Sequence, residues 1–355
     1  MTVAFYAPLK PPTHPVPSGD RTMARALIAA LEATGRTVDV ASDLRLYDGT
    51  GDGARQDALF DAASRAVDSI VAQPQARAWQ VWVTYHNYYK APDLIGPAVS
   101  RALGIPYVQL ESTRARKRLT GPWARFAAAA EAASDAAAVI FFLTHRDAET
   151  LRRDAPDAQR LEHLPPFLVR ADLPDASTLD GPILTVAMMR DGDKLASYRL
   201  VAETLALLPE GVEWRLDIAG DGAARAQVAA LMAPFGARVR MLGACDAGAL
   251  RHQYGRAAVL FWPGVNEAFG LTYLEAQAAG VPVVAQDRPG VRDVVAGLQS
   301  PVDDGPAAMA AHLERLLRDR AARAQAGAEA RAQVGAAHLL GHAAARLNTV
   351  LETLT

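Results

Sequence analysis

The sequence predicts an α/β protein made of two doubly wound domains with a cleft between them, and three observations predict it. At 355 residues the chain has room for about two domains of roughly 150 residues each. Short β-rich apolar runs alternate with helical patterns from the N-terminus onward, the signature of a parallel sheet covered by helices on both faces. A proline-rich stretch without periodicity, around 161–181, separates two such series.

In the first series Val3-Ala4-Phe5-Tyr6 reads as a compact strand, and the stretch from Pro8 to Pro17 cannot be helix interior. Asp20 is the expected N-cap of a helix carrying Met23, Leu27, Ala30 and Leu31 at helical spacing, with Gly35 as its stop. Strands are expected at Thr37–Ala41, Gln80–Tyr85, Pro106–Leu110 and Ala138–Thr144, and helices near Gln56–Val71, Asp93–Leu103 and Trp123–Ala133. The second series places strands at Ile183–Ala187, Glu213–Ala219, Val239–Leu242, Ala258–Trp262 and Val281–Ala285, with helical patterns such as Leu195–Leu208 and Ala223–Met232 between them. Two long Ala/Arg-rich helical patterns follow Pro306. The expected division is an N-terminal domain over 1–165, a linker over 166–182, a C-terminal domain over 183–335 and a closing helix over 336–355 that could return to the N-terminal domain. Ligands of such sheets sit at the carboxyl ends of the strands, so the cleft is the expected site.

Composition removes several classes. Half the residues are hydrophobic and 21% are charged, as in ordinary globular proteins. With 37 Lys+Arg against 39 Asp+Glu the net charge is −2, which gives no global field for nucleic acid or an anionic membrane. The single Cys245 can form neither an intramolecular disulfide nor a thiol-ligated zinc site, so no structural metal is expected. The opening MTVAFYAPLKPP lacks a basic segment followed by an apolar one, and no window approaches the roughly 18 apolar residues of a spanning helix. The chain therefore reads as cytoplasmic.

The most informative stretch runs from Phe261 to Ala285, FWPGVNEAFGLTYLEAQAAGVPVVA, in the order strand, loop, helix, strand. Amides at its helix start could hold an anion. Glu275 lies eight residues after Glu267, and if the helix already includes Glu267, steps of about 100° bring both carboxylates to nearly one face. Two glutamates so spaced also occur simply as a solvated helix face. Gly270 and the small residues Ala276, Ala278, Ala279 and Gly280 point instead to a tightly docked helix.

Here the sequence resembles the retaining nucleotide-sugar glycosyltransferases of family 4, whose fold is GT-B: two Rossmann-like domains with an interdomain cleft. Their signature E-A-F-G-x-x-x-x-E-A followed by G-x-P-V-V-A is matched by Glu267, Ala268, Phe269, Gly270, Glu275, Ala276, Gly280, Pro282, Val283, Val284 and Ala285. Phe5–Pro8 with Ser18-Gly19-Asp20, the turn Ile218-Ala219-Gly220-Asp221-Gly222, and Pro289–Val295 extend the likeness over nearly the whole chain. The resemblance implies transfer of a sugar from a UDP- or GDP-sugar to a hydroxyl of a saccharide or lipid-linked acceptor, with retention and without metal or further cofactor.

The resemblance also implies residue roles. Glu267 would face the donor sugar, and Glu275 would bind the ribose hydroxyls. The amides of Phe269, Gly270 and Leu271 would contact sugar hydroxyls or diphosphate, as helix-end donors suit a developing oxyanion. The family's phosphate-binding arginine and lysine follow the first strand of the second domain. In this sequence Met188 stands at the arginine position, Arg190 follows two residues later, and Lys194 keeps its place, so Arg190 and Lys194 are the expected phosphate ligands, and Gly220 of the glycine turn is a further expected donor-binding residue. Gly19 would let the first loop approach the donor or acceptor.

His86 ends an expected strand, and its two readings are a structural histidine and a cleft residue that orients or carries a proton. Arg114, Arg116, Lys117 and Arg118 form a basic run, read either as a solvated loop or as the binding site of an anionic acceptor or membrane face. No nucleic-acid module accompanies it. Competing readings are a metal-dependent transferase using Asp191-Gly192-Asp193, a bilobed solute-binding protein, and a catalytically silent homologue acting as a scaffold.

Overall fold

A computed structural model describes residues 1–16, 18–157 and 159–354; Pro17, the end of the proline-rich stretch, lies outside the described residues. The chain forms two units, one of Met1–Pro165 with the chain end from Leu340 onward, the other of Pro166–Leu339.

The first unit alternates β1 (Thr2–Tyr6), α1 (Gly19–Glu32), β2 (Thr37–Ser42), α2 (Gly53–Val71), β3 (Trp79–Asn87), α3 (Gly96–Leu103), β4 (Tyr107–Ser112), α4 (Ala124–Ala136), β5 (Val139–Phe142), α5 (His145–Asp154) and β6 (Arg160–His163). Its six strands are all parallel, in the order β2-β1-β3-β4-β5-β6. Phe5, Tyr6, Trp82 and Phe141 are fully buried, as expected of strands covered on both faces.

The second unit holds β7 (Ile183–Val186), α6 (Asp193–Ala206), β8 (Leu216–Ala219), α7 (Arg225–Met232), β9 (Val239–Gly243), α8 (Ala247–Tyr254), β10 (Val259–Phe261), α9 (Leu271–Ala278), β11 (Val283–Asp287), β12 (Gln299–Pro301), α10 (Gly305–Arg318) and α11 (Arg320–Ala337). These six strands are also parallel, in the order β12-β11-β10-β7-β8-β9. The last helix, α12 (Leu340–Leu351), belongs to the first unit, where Arg346 Nη2 reaches Glu162 at 2.6 Å. Among the described residues no helix is long and apolar enough to cross a membrane.

The structure departs from the sequence expectations in four places. Ser18 rather than Asp20 caps α1: its hydroxyl accepts from the Arg21 amide at 3.2 Å, and Asp20 sits in the first turn, where a carboxylate favours the positive helix end. The proline-rich stretch around 161–181 overlaps at its start with β6, an unexpected edge strand of polar composition, RLEH, that carries no apolar run. Strand β12 is three residues long, too short to leave a pattern. After Pro306 there are three helices rather than two, because Asp319 caps α11 and accepts from Ala322 N at 2.9 Å.

Candidate active site

In the second sheet the chain reverses direction of travel between β7 and β10, and the loops leaving the carboxyl ends of these neighbours open one crevice. One loop leads into α6, the other into α9. Lys194, in the first turn of α6, forms an ion pair with Glu267 on the β10–α9 loop. The indole Nε1 of Trp262 donates to the same carboxylate oxygen at 2.8 Å, and the Lys194 ammonium lies 5.5 Å from the Trp262 ring centroid. The Lys194 and Glu267 side chains keep 20% and 14% exposure, so the pair is sheltered yet reachable.

Two further bonds join the same loops. Asn266 Nδ2 donates to Asp193 Oδ2 at 2.9 Å, and the Val265 amide donates to Ser197 Oγ at 3.0 Å. Asn266 has φ 51°, a left-handed conformation that asparagine tolerates better than most residues. Below the loop, Gly290 packs its backbone against the Ala268 carbonyl so closely that a Cβ would collide with it. Tyr273 Oη donates to the Trp262 carbonyl at 3.1 Å, fixing the strand end from underneath.

Helix α9 starts at Leu271, with Gly270 as N-cap at φ 76°. Glu267 therefore lies outside the helix, and the expectation that helical steps align it with Glu275 does not hold, because the left-handed turn interrupts the progression. Among the described residues the amides of Phe269, Gly270 and Leu271 donate to no acceptor of the chain, which leaves them available to an anion. Glu275 sits apart from Lys194: its Oε2 accepts from Tyr254 Oη at 2.8 Å, and it lines a cavity of about 400 Å³ with Arg170, Asp175 and Arg251. Burial raises the Glu275 pKa, against the opposing pull of the Tyr254 hydroxyl and the Arg170 charge.

The remaining donor-site candidates divide. Arg190 lies exposed on the β7–α6 loop, as does Met188 at 48% exposure. Gly220 gives its amide to the Gly243 carbonyl at 2.8 Å, and a Cβ there would strike the Ala187 carbonyl. Its backbone lets β8 close against the β7–α6 loop, which leaves the turn Gly220-Asp221-Gly222 beside that loop.

In the first unit Gly19 is the exposed first residue of α1, with open space where a Cβ would stand. His86 is the penultimate residue of β3, and its Nδ1 lies 3.3 Å from Asp20 Oδ1. Burial by itself would lower the His86 pKa; the adjoining Asp20 carboxylate and the charges of Glu111 and Asp147 outweigh it and raise it. Glu111 is the penultimate residue of β4, its carboxyl pushed up to about 7 mainly by burial. Both residues adopt left-handed backbone, φ 66° at His86 and φ 54° at Glu111. From His86 a chain of rings runs through Tyr88 and Tyr89 to Trp123, at centroid spacings of 4.9, 5.6 and 5.8 Å.

The basic run is not one surface. Arg114 is 3% exposed and turned inward, its guanidinium bonded to Glu131 at 2.9 Å and Asp135 at 2.7 Å, so it holds α4 to β4 and is not open to an acceptor. Arg118 lies over the rings of Tyr89 and Trp123, at 5.1 and 5.6 Å. Arg116 and Lys117 are exposed, Arg116 within 3.6 Å of Asp154.

Sequence reasoning did not single out Trp262, Tyr254, Arg170, Arg251 or Glu111. Trp262 and Glu111 stand at the carboxyl ends of predicted strands, a position that marks ligand-facing residues in such sheets. Tyr254 and the two arginines become partners of Glu275 only through tertiary packing.

Residues 178–333 match the family model described as glycosyl transferases group 1. The chain is similar to a GDP-mannose-dependent alpha-mannosyltransferase of Mycolicibacterium smegmatis, 35% identical over 122 residues, covering 33% of this chain and 32% of that protein. It is also similar to an alpha-D-kanosaminyltransferase of Streptomyces kanamyceticus, 29% identical over 254 residues, 62% of this chain and 64% of the relative. The chain thus spans about a third of the first relative and under two thirds of the second. Among solved structures, sucrose-phosphate synthase from Thermosynechococcus elongatus superposes with TM-score 0.73 at 21% identity, covering 99% of this chain and 98% of that one. HepE of Anabaena in complex with UDP-glucose gives TM-score 0.70 at 16% identity over the full length of both chains. These likenesses show the fold, that of the GT-B glycosyltransferases.

Proposed function

From the match of residues 178–333 to the glycosyl transferases group 1 model, we propose that the protein transfers a sugar from a UDP- or GDP-sugar to an acceptor hydroxyl with retention at the anomeric carbon, in the manner of family 4. The observation that carries this reading is the Lys194–Glu267–Trp262 constellation at the β7/β10 crevice, flanked by the unbonded amides of Phe269, Gly270 and Leu271.

Lys194 and the α9 amides supply positive potential for a leaving diphosphate, with Arg190 near enough in sequence to add to it. Glu267, oriented by Trp262, is a hydrogen-bond acceptor for sugar hydroxyls as the anomeric carbon gains oxocarbenium character. The bond from that carbon to the β-phosphate oxygen breaks, the acceptor oxygen bonds to the carbon on the same face, and the acceptor proton passes to the departing phosphate. These cations and amides carry the phosphate charge in the proposal, so no metal is assigned to it. Glu275, with Oε1 left over from the Tyr254 bond, takes the ribose hydroxyls. His86 is assigned to orienting a hydroxyl, and Arg116, Lys117 and Arg118 remain the cations offered to a saccharide or lipid-linked acceptor. We place the protein in the cytoplasm, with peripheral association at a membrane through that exposed basic stretch.

Met188, exposed where the family's arginine is expected, favours a second reading, a nucleotide-sugar-binding protein without transfer. Incubation with UDP- and GDP-sugars, reading release of the nucleoside diphosphate, decides between them. Turnover that disappears in Glu267→Ala and Lys194→Ala supports the transferase; binding without turnover supports the silent homologue; full turnover in both variants overturns the site.

A further inference from the structure

The cavity beside Glu275 has a lining more specific than a ribose requires. Two guanidinium groups, Arg170 and Arg251, and two carboxylates, Asp175 and Glu275, surround it, with Leu250 and the Tyr254 ring as apolar wall. The formal charges of these four side chains cancel, so the cavity suits a neutral ligand that presents both donors and acceptors better than it suits an additional phosphate. Its volume of about 400 Å³ is within the range of pockets that enclose a small organic ligand, enough for a nucleoside. Among the described residues neither Arg170 nor Arg251 is in an ion pair; Arg170 Nε donates to the Asp172 carbonyl at 2.7 Å, which steadies the guanidinium and leaves its terminal nitrogens unassigned. Asp175 is exposed at the mouth and carries no ion pair among the described residues.

The bases of nucleotides differ in what they ask of such a lining. Guanine offers adjacent donors at N1–H and the 2-amino group, which one carboxylate can accept together, and adjacent acceptors at O6 and N7, which one guanidinium can address as a fork. Uracil has a single N–H donor, and adenine has no pair of adjacent donors from separate ring positions. A carboxylate and arginines in one cavity can therefore each make paired contacts with guanine, and only single ones with uracil or adenine.

We propose that this cavity selects a guanine nucleotide, with Asp175 accepting from N1–H and the 2-amino group and Arg251 and Arg170 donating to O6 and N7. The proposal rests on the reading of Glu275 as the ribose ligand and narrows it to GDP-sugars. Leu250 and Tyr254 cover the base from the side, and the bond from Tyr254 to Glu275 links recognition of the base to placement of the ribose.

The test is calorimetric titration of the purified full chain with GDP, IDP, UDP and ADP. GDP is expected to bind about tenfold or more tighter than UDP and ADP, with IDP, which lacks the 2-amino group, weaker than GDP. Asp175→Asn, an exposed change that leaves the fold intact, is expected to weaken GDP about tenfold and to abolish the difference between GDP and IDP. UDP or ADP binding as tightly as GDP, or an unchanged GDP-to-IDP ratio in Asp175→Asn, overturns guanine selection while leaving the transferase reading in place. Failure of all four diphosphates to bind the folded chain overturns both.

Discussion

The ammonium of Lys194 and the carboxylate of Glu267 meet across 73 residues of sequence, one at the start of α6 and the other on the loop before α9. Neither side chain is fully wet, so removing one leaves the other with a poorly solvated charge. The pair also fixes where a cation stands relative to the α9 amides, and its loss acts on both charge and position.

Lys194→Ala is expected to lower transfer from a nucleotide sugar by about 10²-fold or more, the usual consequence of deleting a donor that stabilises developing negative charge. Glu267→Ala is expected to do likewise. In urea denaturation a double-mutant cycle of the two substitutions should give a coupling of about 1–3 kcal/mol. A coupling near zero would show that the pair does not form in solution.

Trp262→Phe keeps a ring under Lys194 and deletes the Nε1 donor to Glu267. The buried indole is 1% exposed, so the expected loss of stability is about 1–3 kcal/mol from hydrogen bond and volume together. Turnover should fall more than nucleotide affinity, since the carboxylate is misoriented while the Lys194 charge stays. Equal losses in both would contradict a positioning role.

Arg114→Met separates packing from acceptor binding within the basic run. The buried guanidinium answers Glu131 and Asp135, and its removal is expected to destabilise the fold by about 3–5 kcal/mol. Lys117→Ala, on an exposed side chain, should stay within about 0.5 kcal/mol of the parent. Chemical denaturation of the two variants checks the contrast.

The Glu111 carboxyl has an ordinary value of 4.5 and is raised to about 7 in the folded chain, chiefly by burial. A carboxyl whose folded pKa is raised binds its proton more tightly in the native state, so its contribution to stability is whole below about pH 4.5 and is lost as pH rises toward about 7. The linked loss is about 3 kcal/mol across that window. His86, whose pKa is also raised, loses its contribution in the same direction as pH climbs through its folded value. Glu111→Gln should flatten the decline measured by urea midpoints between pH 4.5 and 7; an unchanged slope would remove Glu111 from this role.

Much of this architecture is legible in the sequence because parallel strands buried on both faces leave continuous apolar runs: Val81–Val83, Val139–Phe142 and Val259–Phe261 all fall in strands. Polar edge strand β6 and three-residue β12 leave no such run. The E-A-F-G segment locates Glu267, yet the left-handed Gly270 that ends the loop depends on Tyr273 and Gly290 folded beneath it, and spacing alone carried the helix too far toward the N-terminus. Charge density pointed to Arg114, while its partners Glu131 and Asp135 lie on a helix whose facing could not be read from composition. Pairings such as Lys194 with Glu267 and Tyr254 with Glu275 are tertiary facts: each half is visible as a residue type, and the contact is created by strand order.

The two left-handed residues at neighbouring strand ends, His86 and Glu111, bear on how this protein can be improved as a scaffold. Glycine occupies such backbone at about 1–2 kcal/mol less than a residue with a Cβ, so substitutions that relax the backbone in this corner would delete the His86 imidazole and the Glu111 carboxyl together. Selection for thermal endurance alone would drift toward glycine there and erase the chemistry, whereas selection that retains turnover would hold both side chains in place at the expense of melting temperature.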